Sequence, residues 1–470
     1  MMVLRREKYC RQPRCSCRVA VQLHTRTCAS PIVGTWARDD PWSGRVVTGR
    51  VKHLVTFLRK WMERGRGEVS LVSMARVFAA LCALGIAILS ARQLGPARRG
   101  EIVLVVTVAM IASEVMFLGA DVTGRIQILS RRGVGIEDFL GLTVALTLLQ
   151  GVAVSVSLIV IQRATGIIET DLIPLGVFLG VAMFQAGMLT AAGFALRKPV
   201  AIALRDMLVG LLPLVVVFVL ASSRGLSAEA VVGLVAMGYA VGDVYLWIVV
   251  SRHSGPIGLR PVIWAQLLRS SRPVFASTVA QTAALRSDRI LIGLAVGATG
   301  LGVYSVAATA VEVPRLLLIS ATQILANRIA AGQIEPSAYL YLVRRIVVLY
   351  GLLLTSLVVV ASRLVVPVVG AGFSEAVSLI VVLAIAEFFL GVHLTMAGVL
   401  TGLAHFTGLP VATVVGGLLI TLGGLVVVQG GGVMEVAWLK VGVFGVMAAV
   451  SSQLVLRGLQ QPTYFRRDPR

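Results

Sequence analysis

LGPARRGEIVLVVTV, residues 94–108, returns 202 positions later as VGATGLGVYSVAATA, residues 296–310. Gly95 and Gly100 match Gly297 and Gly302, and Thr107 matches Thr309. The same offset carries the start of the first apolar segment, near residue 70, onto the start of the seventh, near 272. It also carries the end of the sixth, near 250, onto the end of the twelfth, near 452. Each unit holds six segments, an even number, so both units enter a membrane in the same sense. That pattern predicts a parallel repeat, two six-helix lobes related by an axis along the membrane normal.

A bilayer is demanded by composition. Of 470 residues 57% are hydrophobic and 14% charged, against about 25% charged in ordinary globular chains, and the mean hydropathy is +0.89. Apolar runs of about 20 residues, the length that crosses ~30 Å of hydrocarbon, recur at roughly 70–91, 101–121, 139–162, 171–195, 200–221, 227–250, 273–295, 299–324, 341–361, 375–402, 405–429 and 432–456. They are continuous and do not alternate with period two, which excludes a transmembrane β-barrel. The expected fold is therefore an all-α polytopic membrane protein. It would have an N-lobe over residues 67–255, a C-lobe over 256–458 and a short C-terminal tail, 459–470.

The net charge of +21 would suggest nucleic acid in a soluble chain. Here fifteen Lys and Arg fall in residues 1–66 and most others in alternate loops. With the N-terminus cytoplasmic, the inside loops carry Arg125, Arg131, Arg132, Arg197, Lys198, Arg252, Arg260, Arg269, Arg272, Arg328, Arg344 and Arg345. The outside loops carry Arg92, Arg98, Arg99, Arg163, Arg224 and Arg363. This is the positive-inside pattern, with both termini cytoplasmic. Residues 1–66 have no signal-peptide core and read as a disordered basic extension or an over-called start. Cys10, Cys15, Cys17 and Cys28 lie there beside His24, but C-x4-C-x-C-x10-C matches no structural zinc spacing. Cys82, inside the first apolar run, reads as a small core residue.

Around ILSARQLGPARRGEIVLVVTVAMIASEVMFLGAD (88–121) and LRSDRILIGLAVGATGLGVYSVAATAVEVPRLLL (285–318), the chain resembles the polysaccharide and oligosaccharide flippases of the MOP superfamily. These are the O-antigen-type transporters of lipopolysaccharide biosynthesis, related to lipid II flippases and to multidrug and toxin extruders. The resemblance covers about residues 70–456. It implies a V-shaped pair of six-helix bundles that alternates between inward- and outward-open states. It also implies an undecaprenyl-type, isoprenoid pyrophosphate-linked oligosaccharide as cargo, a bacterial inner or plasma membrane as setting, and polymerases or glycosyltransferases as partners.

Charges inside apolar segments are costly and mark candidate sites. Arg286 and Arg289, three residues apart, share a helix face, and Asp288 sits between them. A guanidinium forks onto phosphate oxygens and stays charged at any relevant pH, so the pair can bind pyrophosphate in a water-filled cavity. A salt bridge from Asp288 to Arg289 or to a neighbouring helix is the structural alternative, and snorkelling to the outer interface is another. Glu312 and Arg315 are also spaced i, i+3, with Pro314 between them to free backbone groups, either lining a site or forming a local ion pair. Glu387 has no basic residue within a turn, so a proton carrier is one reading of it; Gln185 lies 202 positions earlier. Glu114 is a second such carboxylate, and His393 reads as an interface histidine. Arg76 and Asp243 complete the N-lobe set with Arg205–Asp206, which reads as a structural pair, while Asp121 and Arg125 look like anchors at the end of helix 2. The binding candidates are thus Arg286, Arg289, Arg315 and Arg76. The ion-coupling or gating candidates are Glu387, Glu312, Asp288, Glu114 and Asp243.

No enzyme signature survives. GGLLITLGG (416–424) and VQGGGV (428–433) lack a following Walker lysine and read as packing or loop glycines. With no nucleotide-binding domain, energy would come from H+ or Na+ gradients or from consumption of the product, and no cofactor or metal is expected. Three functions remain open. A flippase suits the interleaved arginines. A cation-coupled multidrug exporter would call for carboxylates and aromatics, and aromatics are only 6%. A membrane scaffold that no longer transports would tolerate loss of the buried charges.

Overall fold

A computed structural model describes residues 67–130, 133–223, 225–330, 334, 336–403, 408–428 and 432–460. All of these belong to one compact unit, Met62–Arg470. The N-terminal extension with its cysteines and His24, the loop arginines Arg131, Arg132 and Arg224, Gln429 with Gly430 and Gly431, and the tail beyond residue 460 lie outside the described residues.

The described chain is helical throughout. Its helices are α1 (Gly67–Met116), α2 (Ala120–Leu129), α3 (Ile136–Thr165), α4 (Leu172–Ala195), α5 (Pro199–Ser223), α6 (Ala228–Ser251), α7 (Pro261–Ala295), α8 (Ala298–Ala330), α9 (Pro336–Val369), α10 (Ala376–Gly402), α11 (Gly408–Val428) and α12 (Val433–Gln460), with a 3-10 turn at Ala371–Phe373. Ten stretches are long and apolar enough to cross a membrane, and the first of them, Leu71–Met116, is 46 residues long. That is twice the length of one crossing. α7 is not among the ten because Arg269, Arg272, Arg286, Asp288 and Arg289 break up its apolar surface. Nine single spans, the double span and α7 account for the twelve expected segments.

The double span reverses at Gly95, whose φ of 74° is left-handed and so favours glycine. The reversal is visible at its far ends. The Arg76 and Arg125 guanidinium carbons, on opposite sides of the turn, lie 5.9 and 5.6 Å from the centre of one ring, that of Phe194. Gly297 (φ 91°) makes the equivalent break between α7 and α8. Glycines 100 and 302 then bring the two repeats together. A Cβ on Gly100 would stand 1.8 Å from the Ala298 carbonyl oxygen, and one on Gly302 would stand 1.9 Å from that of Pro96. Pro96 and Ala298 are themselves repeat mates, so the contact is reciprocal, as an approximate two-fold axis requires.

Beyond this crossing the returning arm of α1 and the short α2 run along α8 and α7. Thr282 Oγ1 donates to the Glu114 carboxylate midway, and Gln127 Nε2 donates to Ser270 Oγ (2.9 Å) at the far end. The connection between the halves is clamped as well: Arg260 Nε and Nη2 reach the two oxygens of the buried Asp138 at 2.6 and 2.7 Å. Most other packing lies within each half. The glycines of GGLLITLGG are packing residues, with Gly416 against Met447, Gly417 against Ala280 and Gly424 against Leu291. Leu148, Val152, Phe218, Val359, Leu422 and Val426 remain exposed, as side chains that face lipid do.

Three expectations are corrected. α7 begins at Pro261 and carries Pro273 inside it, so the helix starts twelve residues before the apolar run does. α8 runs unbroken from Ala298 to Ala330 through Pro314, so that proline opens no gap in the helix. Arg99 is not a loop residue: the helix resumes immediately after Gly95, which turns Arg99 into the packed interior and leaves Arg98 outside on Glu101 (2.9 Å) and Glu169.

Candidate functional site

Six of the singled-out residues, Arg286, Asp288, Arg289, Glu312, Arg315 and Glu387, converge in the second repeat. Glu312 on α8 is the hub: Arg289 Nη2 reaches its Oε1 at 2.7 Å, while Arg315 Nη2 and Arg286 Nη1 stand 3.4 and 3.7 Å from its Oε2. The i, i+3 pair Glu312–Arg315 is thus present, but it is one arm of a larger cluster. The Arg286 distance exceeds hydrogen-bond range, so its fork is the least engaged of the three. Its side chain is also the most open, 19% exposed against 11% for Arg289 and Arg315. All three are packed among helices, so the expected alternative of snorkelling is not what the structure shows.

Arg315 continues to α10, where its Nη1 meets Glu387 Oε1 at 3.0 Å. The reading of Glu387 as a carboxylate without a cation is therefore corrected. Its partner comes from another helix, which spacing along α10 could not show. Asp288 is fully buried and holds Lys440 Nζ of α12 at 2.6 Å. It also accepts from the Tyr304 hydroxyl and from the Arg289 backbone N–H. The Asp288–Arg289 side-chain bridge is replaced by this link to a neighbouring helix, and Arg286 does not neutralise Asp288. Four cations face three carboxylates here, leaving one positive charge in excess.

The first repeat builds a separate, balanced cluster. Arg205 of α5 pairs with Asp206 (2.9 Å) and reaches Asp243 of α6 through Nη2 (3.0 Å), as the structural reading of Arg205–Asp206 anticipated. Arg76, half exposed, approaches Asp206 at 3.6 Å. Arg76, Arg205 and Asp206, with Asp121, Arg125, Phe194 and Tyr239, line a cavity of about 400 Å³. The Arg205 guanidinium carbon lies 5.3 Å from the centre of the Tyr239 ring, within cation–π range.

Tyr239 also borders a second cavity, of about 340 Å³, between the repeats. Its polar lining is Arg99, Arg289, Thr107, Thr309, Ser305 and Tyr239, and none of its lining residues is a carboxylate. Arg99 donates through Nη1 to Ser90 Oγ at 3.2 Å. The Nε atoms of both Arg99 and Arg289 are buried without a hydrogen-bond partner. A space lined by two cations with open donors suits an anion. Among the described residues no group of His, Cys, Asp and Glu is arranged to hold a metal ion.

Lys440, Tyr304 and Arg99 were not singled out in the sequence. Lys440 carried a usable signal, a lone lysine in the apolar run VMEVAWLKVGVFGV, residues 433–446. Arg99 carried a weaker one, since neighbouring arginines on a helix point about 100° apart and cannot both face water. His393 is corrected too: it is buried, with Nδ1 2.7 Å from Ser451 Oγ. Cys82 is buried.

No protein-family model and no curated protein matches the chain. Solved structures do. An inward-facing multidrug resistance MATE family transporter of the MOP superfamily superposes with a TM-score of 0.64 at 14% identity, over 84% of this chain and 99% of its own. The lipid II flippase MurJ in an inward closed conformation gives 0.68 at 11%, over 82% and 87%. A MOP superfamily transporter from Pyrococcus furiosus, described as having a binding pocket of reversed polarity, gives 0.56 at 16%, over 84% and 95%. The fold is that of these MOP superfamily transporter structures, a multi-pass helical membrane architecture. It has been solved in both inward- and outward-facing conformations.

Proposed function

We propose that this chain moves an isoprenoid pyrophosphate-linked oligosaccharide from the cytoplasmic to the outer leaflet for cell-surface polysaccharide synthesis, by ion-coupled alternating access. The observation that carries the reading is the cavity between the repeats, where Arg99 and Arg289 face one space with no carboxylate in its lining. A pyrophosphate needs planar, permanently charged donors. An organic cation would be repelled there. The first-repeat cavity does contain Asp121 and Asp206 with Phe194 and Tyr239, but Arg76, Arg125 and Arg205 line it too, which argues against a drug-cation site. The fold shared with a lipid II flippase supports a lipid-linked cargo. In this reading the lobes divide in the 252–260 connection and both termini are cytoplasmic, following the positive-inside pattern.

The test is flipping of a pyrophosphate-linked oligosaccharide lipid in proteoliposomes. Arg99→Ala and Arg289→Ala, which remove the two guanidinium groups of the cavity, should abolish flipping while the protein stays folded and inserted. Arg99→Lys should rescue only part of it, because an ammonium keeps the charge and loses the fork. Wild-type flipping rates in both alanine variants would remove the pyrophosphate assignment. Efficient transport of organic cations with no lipid flipping would favour the exporter.

A further inference from the structure

The cavity between the repeats is charged at one end and apolar along the rest of its wall. Arg99 Nη1 rests on Ser90 Oγ at 3.2 Å, about one turn past Ala87 on α1. Arg99 is 8% exposed and Thr107 2%. The Nε atoms of Arg99 and Arg289 and the Thr107 hydroxyl are all buried without a hydrogen-bond partner. Thr309, the repeat mate of Thr107, lines the same space. Away from these groups, Ala79, Ala80, Ala83, Ile86 and Ala87 make a wall of α1, about 12 Å long at 1.5 Å per residue. Val103, Val106 and Met110 of the returning arm face it. A membrane span does not by itself demand this wall. Moved on by 202 positions, Ala79, Ala80, Ala87 and Met110 become Gln281, Thr282, Arg289 and Glu312. The second repeat is polar where the first is small and apolar.

Open donors at one end suit an anion, and the apolar wall beside them suits a hydrocarbon joined to it. We propose that the cavity takes the junction of a prenyl diphosphate: Arg99, Arg289 and Thr107 hold the phosphates, and the first isoprene unit lies along Ala79, Ala83 and Ala87. A sugar does not suit that wall. Its hydroxyls would leave water without gaining partners, because the lining holds no carboxylate or amide side chain. The glycan, joined to the other phosphate, then lies outside this cavity. Recognition here is of the lipid end of the cargo and is blind to the sugar. The inference rests on the pyrophosphate reading and names the part of the cargo that this cavity selects.

The test is equilibrium binding to the full chain in phosphatidylcholine nanodiscs. The probes are dimethylallyl diphosphate, which carries one isoprene unit, inorganic pyrophosphate, and a uridine diphosphate sugar. Dimethylallyl diphosphate should bind about a hundredfold more tightly than pyrophosphate, the gain expected when most of a five-carbon chain leaves water. The nucleotide sugar, polar on both sides of its diphosphate, should bind no better than pyrophosphate. Ala83 is exposed to the space, so Ala83→Leu fills the wall without touching the cations. It should erase the hundredfold gain and leave pyrophosphate affinity unchanged, and Arg99→Ala should weaken both ligands together. Equal affinity for dimethylallyl diphosphate and pyrophosphate in wild type would overturn this inference and leave the pyrophosphate assignment standing, whether or not the leucine variant folds. A gain undiminished in inserted Ala83→Leu, or a nucleotide sugar bound as tightly as dimethylallyl diphosphate, would overturn it too. Binding of neither diphosphate would overturn both readings.

Discussion

Replacing Lys440 with methionine removes the only cation 2.6 Å from a carboxylate that has no exposure at all. At that separation, and an effective dielectric of about 20, the attraction is about 6 kcal/mol. Part of it offsets the desolvation of both ions, so the cost of breaking the pair should be about 3–5 kcal/mol. Asp288 keeps the Tyr304 hydroxyl and the Arg289 backbone N–H, which places the value towards the lower end. Methionine is close to lysine in length, so little packing against Phe444 and Tyr304 is lost. The electrostatic loss is therefore isolated.

The assay is reversible unfolding of the purified protein in mixed micelles, with intrinsic fluorescence and protease protection as probes. Lys440→Met should lose the stated stability. The double variant Lys440→Met with Asp288→Asn should recover most of it, because no unpaired charge remains. Arg286→Ala with Asp288→Asn should not recover, because Arg286 sits on Glu312 and not on Asp288. If Lys440→Met unfolds like wild type, or if the Arg286 combination is the one that recovers, the pairing described for Asp288 is wrong.

Two further outcomes follow from the fold. Gly302→Ala sets a methyl group 1.9 Å from the Pro96 carbonyl oxygen and should cost about 1–3 kcal/mol of strain or force the crossing apart. Thiol labelling of a cysteine introduced at Thr309 should then increase, and an unchanged labelling rate together with unchanged stability would contradict the reciprocal contact. Deletion of residues 2–61 should leave membrane insertion and folding intact, since that stretch has no apolar periodicity; loss of the folded protein on size-exclusion chromatography would count against it.

The backbone was more legible in the sequence than the site, and the reason is physical. A bilayer imposes length and apolarity on every span, so twelve segments could be read directly, and Gly95, Gly100, Gly297 and Gly302 stood out because tight turns and backbone contacts admit little else. Two boundaries were missed where apolarity and helicity part company: α7 extends past its apolar run to Pro261, and the helix resumes directly after Gly95, so that Arg99 is helical. Ion pairs are a different matter. Glu387 with Arg315, and Asp288 with Lys440, join residues 72 and 152 positions apart. No periodicity along one helix carries that information, so the charged positions could be flagged while their partners could not.

The repeat and the charges obey different symmetries, and the difference bears on function. Moving Arg289, Glu312 and Arg315 back by 202 positions gives Ala87, Met110 and Ser113; moving Arg99 and Asp243 forward gives Leu301 and Gly445. The turns and the close helix crossing are shared by both halves, yet almost no ionisable group is. A symmetric scaffold with symmetric charges would offer two equivalent stations. Here the excess positive charge lies on the second repeat, and the balanced cluster with the unsatisfied Asp243 oxygen lies on the first. Rocking of one half against the other around the Gly100–Gly302 crossing would move Arg289 of the second repeat relative to Arg99 of the first, the two cations of the inter-repeat cavity. The affinity of the inter-repeat cavity would then change with the state of the molecule, which is what a transport cycle requires of a binding site.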